Sequence, residues 1–151
     1  MTRVPADLQG SAERTLAEAL GAWVREGRTV RIAVGETVWQ GRPAGVSAEL
    51  VQVGPTLVVL ARVTSIRAGM SGVHAAAARV EPPATLQELL QSVADRAEQV
   101  EVGGPDIEPV QGRVLAVTPG SHIELVADDG SEWLLPLPSL GWLSIGAGPA
   151  D

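Results

Sequence analysis

The sequence predicts a mainly β protein built as two tandem small barrels, each preceded by an α-helix. The first observation behind this is repetition. Leu16, Leu20, Trp23, Val30 and Ile32 recur 70 positions later as Leu86, Leu90, Val93, Val100 and Val102. Gly41-Arg42 and Val46-Ser47 return at offset 71 as Gly112-Arg113 and Val117-Thr118. Val51 and Val53 then match Ile123 and Leu125, and Ser65-Ile66 matches Ser139-Leu140 at offset 74. A drifting offset with small insertions at turns is the pattern of a diverged internal duplication. The second observation is a switch, in each copy, from helical spacing of apolar residues to strict alternation. The third is the spacing of short apolar runs by Gly and Pro, which suits about five bent antiparallel strands per copy. Units of about 60–70 residues bury only about 60% of their unfolded surface, so the copies are expected to pack on each other.

Residues 11–26 read as an amphipathic helix, capped by Ser11, striped by Leu16, Leu20, Trp23 and Val24, and stopped at Gly27. Val30, Ile32 and Val34 alternate with Thr29, Arg31 and Ala33 in a first strand. Gly35-Glu36 suits a tight hairpin into a second strand from Thr37 towards Ser47, bent at Gly41 and Gly45. Strands around Glu49–Val53 and Thr56–Leu60 are split by Gly54-Pro55, and a last one ends near Arg67. Residues 68–84 are small, Gly/Pro-punctuated and read as the linker between a first unit at 1–67 and a second at 85–151. An Ala run at 75–78 could make one helical turn before Pro82-Pro83.

Thr85-Leu86-Gln87-Glu88 is a capping box, and Leu86, Leu89, Leu90, Val93 and Ala97 continue the stripe. Strands resume at Val100 and Val102, followed by a longer turn over Gly103–Pro109. Asp129-Gly130 marks a hairpin between Ile123–Ala127 and Glu132–Leu137, and a short tail ends the chain.

Helix, strand-turn-strand with an inner Gly, the pair Leu50-Val51-Gln52-Val53 and Leu57-Val58-Val59-Leu60, and a final Ser65-Ile66 or Ser139-Leu140 strand resemble the Sm-like barrel. The tandem arrangement, with the run Val114–Leu140 in the second copy, looks like actinobacterial proteins carrying two such barrels. A weaker resemblance, through Gly112-Arg113-Val114-Leu115-Ala116-Val117 and Leu134–Leu140, is to the PRC-type barrel of ribosome-maturation proteins. The first resemblance covers about residues 12–67 and 85–145 and implies the fold without an established activity.

Composition narrows the function. There is no Cys, Phe or Tyr, and no Lys or Asn, so Arg carries all the basic charge. Lys, Asn, Phe and Tyr share A/T-rich codons, so their joint absence points to a G/C-rich bacterial genome. Zero Cys removes disulfides, thiolate metal sites and Cys nucleophiles together. The opening residues MTRVPADLQG hold no apolar signal core, and prolines at 136, 138 and 149 exclude a spanning helix from the uncharged stretch 133–150. A cytoplasmic protein with no membrane contact is expected.

Charge is split between the copies. Residues 28–67 hold Arg28, Arg31, Arg42, Arg62 and Arg67 against Glu36 and Glu49, whereas residues 98–140 hold Arg113 against eight acids. Arg28 aligns with Glu98, and Arg31 with Glu101. The arginines, together with Trp39 beside the first hairpin, form the candidate partner-binding set. Trp23, Trp133 and Trp142 fit core or interdomain packing.

No catalytic, cofactor or metal residues are assigned. His122 and Glu124 share one strand face but make only half a metal site. Asp128-Asp129 is first a turn signal, and neither hydrolase motifs nor a Gly-rich phosphate loop is present. The expected role is a non-enzymatic interaction or scaffold module with a protein partner. The alternative is RNA or ribosome-associated binding through the Arg-rich first barrel, against which the net charge of −7 argues. Leu134-Leu135-Pro136-Leu137-Pro138 is expected to lack two successive strand donors, leaving a monomer or closed homodimer and no larger ring.

Overall fold

The computed structural model describes residues 15–69 and 85–146 and is mainly β. Two reciprocal caps start its helices. Thr15 Oγ1 accepts the Glu18 N–H at 3.0 Å, and a Glu18 carboxylate oxygen accepts the Thr15 N–H at 2.9 Å. Thr85 and Glu88 repeat the exchange at 3.1 Å each way. Helix α1 therefore spans Leu16–Arg25 and α2 spans Leu86–Arg96. Thr15 supplies the first cap because Glu18 stands three residues after it; Ser11 lies outside the described residues, as does nearly all of the expected linker. Gly27 leaves α1 at φ 71°, while Ala97 holds the left-handed position after α2 at φ 51°.

The first half continues through β1 (Val30–Val34), β2 (Thr37–Gly41), β3 (Gly45–Val46), β4 (Leu50–Val53), β5 (Thr56–Val59), a 3-10 turn at Leu60–Arg62, and β6 (Ser65–Ala68). The second runs through β7 (Val100–Gly104), β8 (Ile107–Thr118), β9 (His122–Ala127), β10 (Glu132–Pro136), a 3-10 turn at Leu137–Ser139, and β11 (Trp142–Ile145). The order is the same, with β2 and β3 together standing where β8 stands. In each half the last strand pairs with the first, β6 with β1 and β11 with β7. Val30 faces Gly41 as Val100 faces Gly112, and Val46 faces Val51 as Val117 faces Ile123. These registers follow the offsets read from the sequence.

The strands form a three-stranded sheet, β2-β1-β6, and an eight-stranded sheet, β10-β9-β8-β7-β11-β5-β4-β3. The second sheet crosses from one half to the other where β11 pairs with β5. There the Val59 N–H donates to the Gly141 carbonyl at 2.7 Å, and the Ile145 N–H to the Pro55 carbonyl at 3.1 Å. All four residues of β5 and three of the four in β11 are buried. Burial on both faces explains why Leu57-Val58-Val59-Leu60 reads as an unbroken apolar run.

Alternation then sends the two faces of this seam into different cores. Leu57 and Val59, with Leu50, join a cluster containing Leu89, Leu90, Val93, Val100 and Leu143. Trp142 and Val58 join Leu20, Val30, Ile32 and Val51. Each half therefore completes the other's core.

Three expectations are corrected. The turn after β7 is short: Gly104 faces Ile107 across Pro105-Asp106, matching Gly35-Glu36 in length. The one extra residue is instead in a bulge that sets Glu108-Pro109 opposite Gly103, a place where proline's missing donor is tolerated. Ser139 does not correspond to Ser65. Ser65 faces Ala33 within β6, whereas Ser139 lies in a 3-10 turn and Trp142 faces Gly103. The length that moves this register is in the longer β9–β10 hairpin. Finally, Pro138 lies in that same 3-10 turn, so Pro136 alone belongs to β10.

Candidate functional site

Strand β1 buries Val30, Ile32 and Val34 and turns Arg31 outward. Arg31 lies opposite Gln40 on β2 and opposite Arg67 on β6. Gln40, Arg31 and Arg67 thus make a row across the exposed face of the three-stranded sheet, with both arginines exposed. Like charges directly opposite in a ladder repel, so this row favours an approaching anion. Arg42, just past the end of β2, is exposed as well.

The other candidates serve the fold. Arg28 is half-buried: its Nε donates to the Gly69 carbonyl at 3.0 Å, its Nη1 lies 3.6 Å from Glu26, and its guanidinium sits 5.4 Å from the Trp23 ring centre. Arg62 donates its Nε to the Pro138 carbonyl and its Nη1 to the Ala61 carbonyl at 3.3 Å, which bridges the seam. Trp39 turns inward and meets Trp142 edge-on, with ring centres 5.3 Å apart and planes at 71°. Trp39 is thus half-buried: the inward parity of β2 falls on Thr37, Trp39 and Gly41, leaving Val38 exposed. The expected packing of Trp133 in a core is corrected: it is the exposed indole, at 41%, and donates to Ser131 Oγ at 3.0 Å. The fold brings Arg31 and Arg67 together, and it draws Arg28, Arg62 and Trp39 away from them.

The acids of the second half gather elsewhere. Glu101, Glu108, Asp128, Asp129 and Trp133 line a groove of about 440 Å³. Asp129 accepts the Ser131 hydroxyl at 2.5 Å and the Ser131 N–H at 2.9 Å. The hydroxyl first, and the N–H second, hold the Asp129 carboxyl below its ordinary pKa. That is turn chemistry. His122 shares a 2.7 Å hydrogen bond with Ser121. Among the described residues no group of three metal-ligating side chains occurs.

Among the described residues β2, β6, β10 and β3 end the two sheets, and the sequence did not foretell what lies beside two of these edges, β6 and β10. The Gly69 N–H bonds the Thr29 carbonyl, so by alternation the Ile66 and Ala68 N–H groups point to the free side of β6. Beside that edge, α1 and β6 bound an apolar groove of about 210 Å³ lined by Leu16, Leu20, Trp23, Val63 and Ile66. On β10 the Leu137 N–H bonds the Ser121 carbonyl, which aims the Glu132 and Leu134 donors outward and places the missing donor of Pro136 on the same free side. Leu134 is 68% exposed there.

No protein-family model, curated protein or solved structure matches the chain. No helix among the described residues is long and apolar enough to cross a membrane.

Proposed function

We propose that the chain is a non-enzymatic interaction or scaffold module of the cytoplasm, made of two Sm-like barrels, whose partner is a protein. One observation carries this reading. The β5–β11 pairing consumes one late strand from each half and leaves the two corresponding strands, β10 and β6, unpaired on one side among the described residues. An open edge beside an exposed apolar residue or groove is a surface for added strands. The test is purification from the native cell with and without nuclease. A stoichiometric protein that survives nuclease and high salt is the expected result; recovery of nucleic acid alone would sink it.

RNA binding is the second reading, and the Arg31–Arg67 row with Arg42 is what favours it. It requires steeply salt-dependent affinity that is lost in Arg31→Glu and Arg42→Glu variants. Weak RNA affinity, unchanged by these substitutions, is expected, because Trp39 is packed on Trp142 and offers no stacking platform beside the arginines.

A further inference from the structure

The two halves present the same groove, and among the described residues only one is filled. In the second half, α2 and β11 bring together Leu86, Leu89, Leu90, Val93, Leu140 and Leu143, and the neighbouring strand β5 lays Leu57 and Val59 against them. In the first half, Leu16, Leu20, Trp23, Val63 and Ile66 occupy the corresponding places on α1 and around β6, and no described residue covers the groove. Leu16 at its rim is 45% exposed.

We infer that the groove between α1 and β6 docks one extended strand of a partner protein, antiparallel to β6, carrying a carboxylate, then Leu, any residue, and Val. The filled seam is the template. Thr56 faces Ser144, Leu57 faces Leu143, and the Val59 N–H reaches the Gly141 carbonyl. By the matching register of β11 on β7 and β6 on β1, Ser144 corresponds to Arg67, Leu143 to Ile66 and Gly141 to Thr64. The incoming residue in the place of Thr56 therefore stands opposite Arg67 in a pair without mutual backbone bonds, where side chains come closest. Arg31 flanks Arg67 from the other side, so a carboxylate there relieves a repulsion that the free protein carries. The next residue turns its side chain into the apolar groove, as Leu57 does. The backbone of Ile66 supplies the ladder, as that of Leu143 does in the seam.

A second copy of this chain is the competing occupant, through β10. It fits less well: Pro136 corresponds to Val59 and lacks the donor that gives the 2.7 Å bond to Gly141. Its residue facing Arg67 is Trp133, an indole in place of a carboxylate.

This inference rests on the reading of the chain as a protein-binding module. Its test uses the full chain and a synthetic peptide, Ser-Gly-Asp-Leu-Thr-Val-Gly-Ser, with a Lys replacing Asp as control. Amide hydrogen exchange and a Trp fluorescence titration are read together. The Asp peptide should slow exchange at Ile66 and Ala68 by about tenfold or more, and bind about tenfold more tightly than the Lys peptide. Arg67→Glu should reverse that preference, and Leu16→Glu should weaken both peptides. Equal affinity for the two peptides, or protection away from β6, would overturn the inference while leaving a protein partner on another surface intact. Protection of Ile66, Ala68 and Leu134 that grows with protein concentration alone, with a doubled mass, would overturn it in favour of a second copy.

Discussion

Thr56 and Ser144, the two buried polar side chains among the described residues, bond to each other at 2.6 Å between their hydroxyls across the middle of the seam. They stand directly opposite on β5 and β11, at a position without mutual backbone bonds. Each satisfies the other in a place water does not reach. The pair also fixes alignment, since a one-residue slip would set each hydroxyl against an apolar neighbour.

Removing one hydroxyl should cost more than removing both. Thr56→Val strands the Ser144 hydroxyl and Ser144→Ala strands that of Thr56, each at about 1–3 kcal/mol. The double variant should lie well above the sum of the singles in stability. Urea unfolding of all four proteins measures the coupling, and additive losses would show that the bond contributes nothing.

Gly103 and Trp142 form a second interlock. They face each other across β7 and β11, and a Cβ on Gly103 would run into the indole of Trp142. The first half has Ala33 opposite Ser65 at that position, where small meets small. Gly103→Ala should therefore destabilise by about 1–3 kcal/mol, and the loss should shrink in a Trp142→Leu background. Trp142→Phe should be milder than Trp142→Ala, because the buried indole Nε1 has no hydrogen-bond partner among the described residues and its removal strands nothing. Thermal unfolding distinguishes these orders.

Pro136 blunts the free side of β10. Pro136→Val restores a third outward donor next to Leu134 and should shift the protein to larger assemblies, seen by light scattering. Pro138→Val should not, since Pro138 lies in the 3-10 turn. An unmodified protein that scatters as a hexamer or heptamer would contradict the monomer or closed dimer proposed for it.

Asp129 ties one turn to pH. Its carboxyl is held below the ordinary value by Ser131, so its contribution to the turn is complete above the unfolded carboxylate pKa. That contribution is lost as pH falls through the lowered folded value. A side-chain carbon NMR titration should show the Asp129 midpoint rising in Ser131→Ala. An unmoved midpoint would assign the shift elsewhere.

What the sequence made legible was periodicity. Both helices and the alternation of β1 follow from local spacing, and the equal facing of Val30 with Gly41 and of Val100 with Gly112 accords with the offsets between the halves. The Thr85–Glu88 capping box needed nothing beyond four residues. The seam was harder to see, because pairing between β5 and β11 joins segments far apart in sequence and leaves no local signature except an apolar run. The candidate site was legible in its charge but not in its orientation. Arg31 could be placed outward by alternation, whereas Arg28 and Arg62 were captured by carbonyls at Gly69 and Pro138 that only the folded chain brings near. The contact of Trp39 with Trp142 was hidden for the same reason, since it joins residues of the two halves.

The exchange of core residues across the seam has a consequence for synthesis. A ribosome delivers α1 to β6 long before β11, so the first half emerges with a place in its interior that Trp142 later fills. Leu57 and Val59, meanwhile, face outward with no α2 to cover them. The nascent chain thus carries a sticky strand and an unfinished core at the same time; α2 is the first element able to cover the one, and the arrival of β11 completes the other. Pausing of translation between the halves would prolong that exposure, and a chain stalled there would be a natural client for a chaperone.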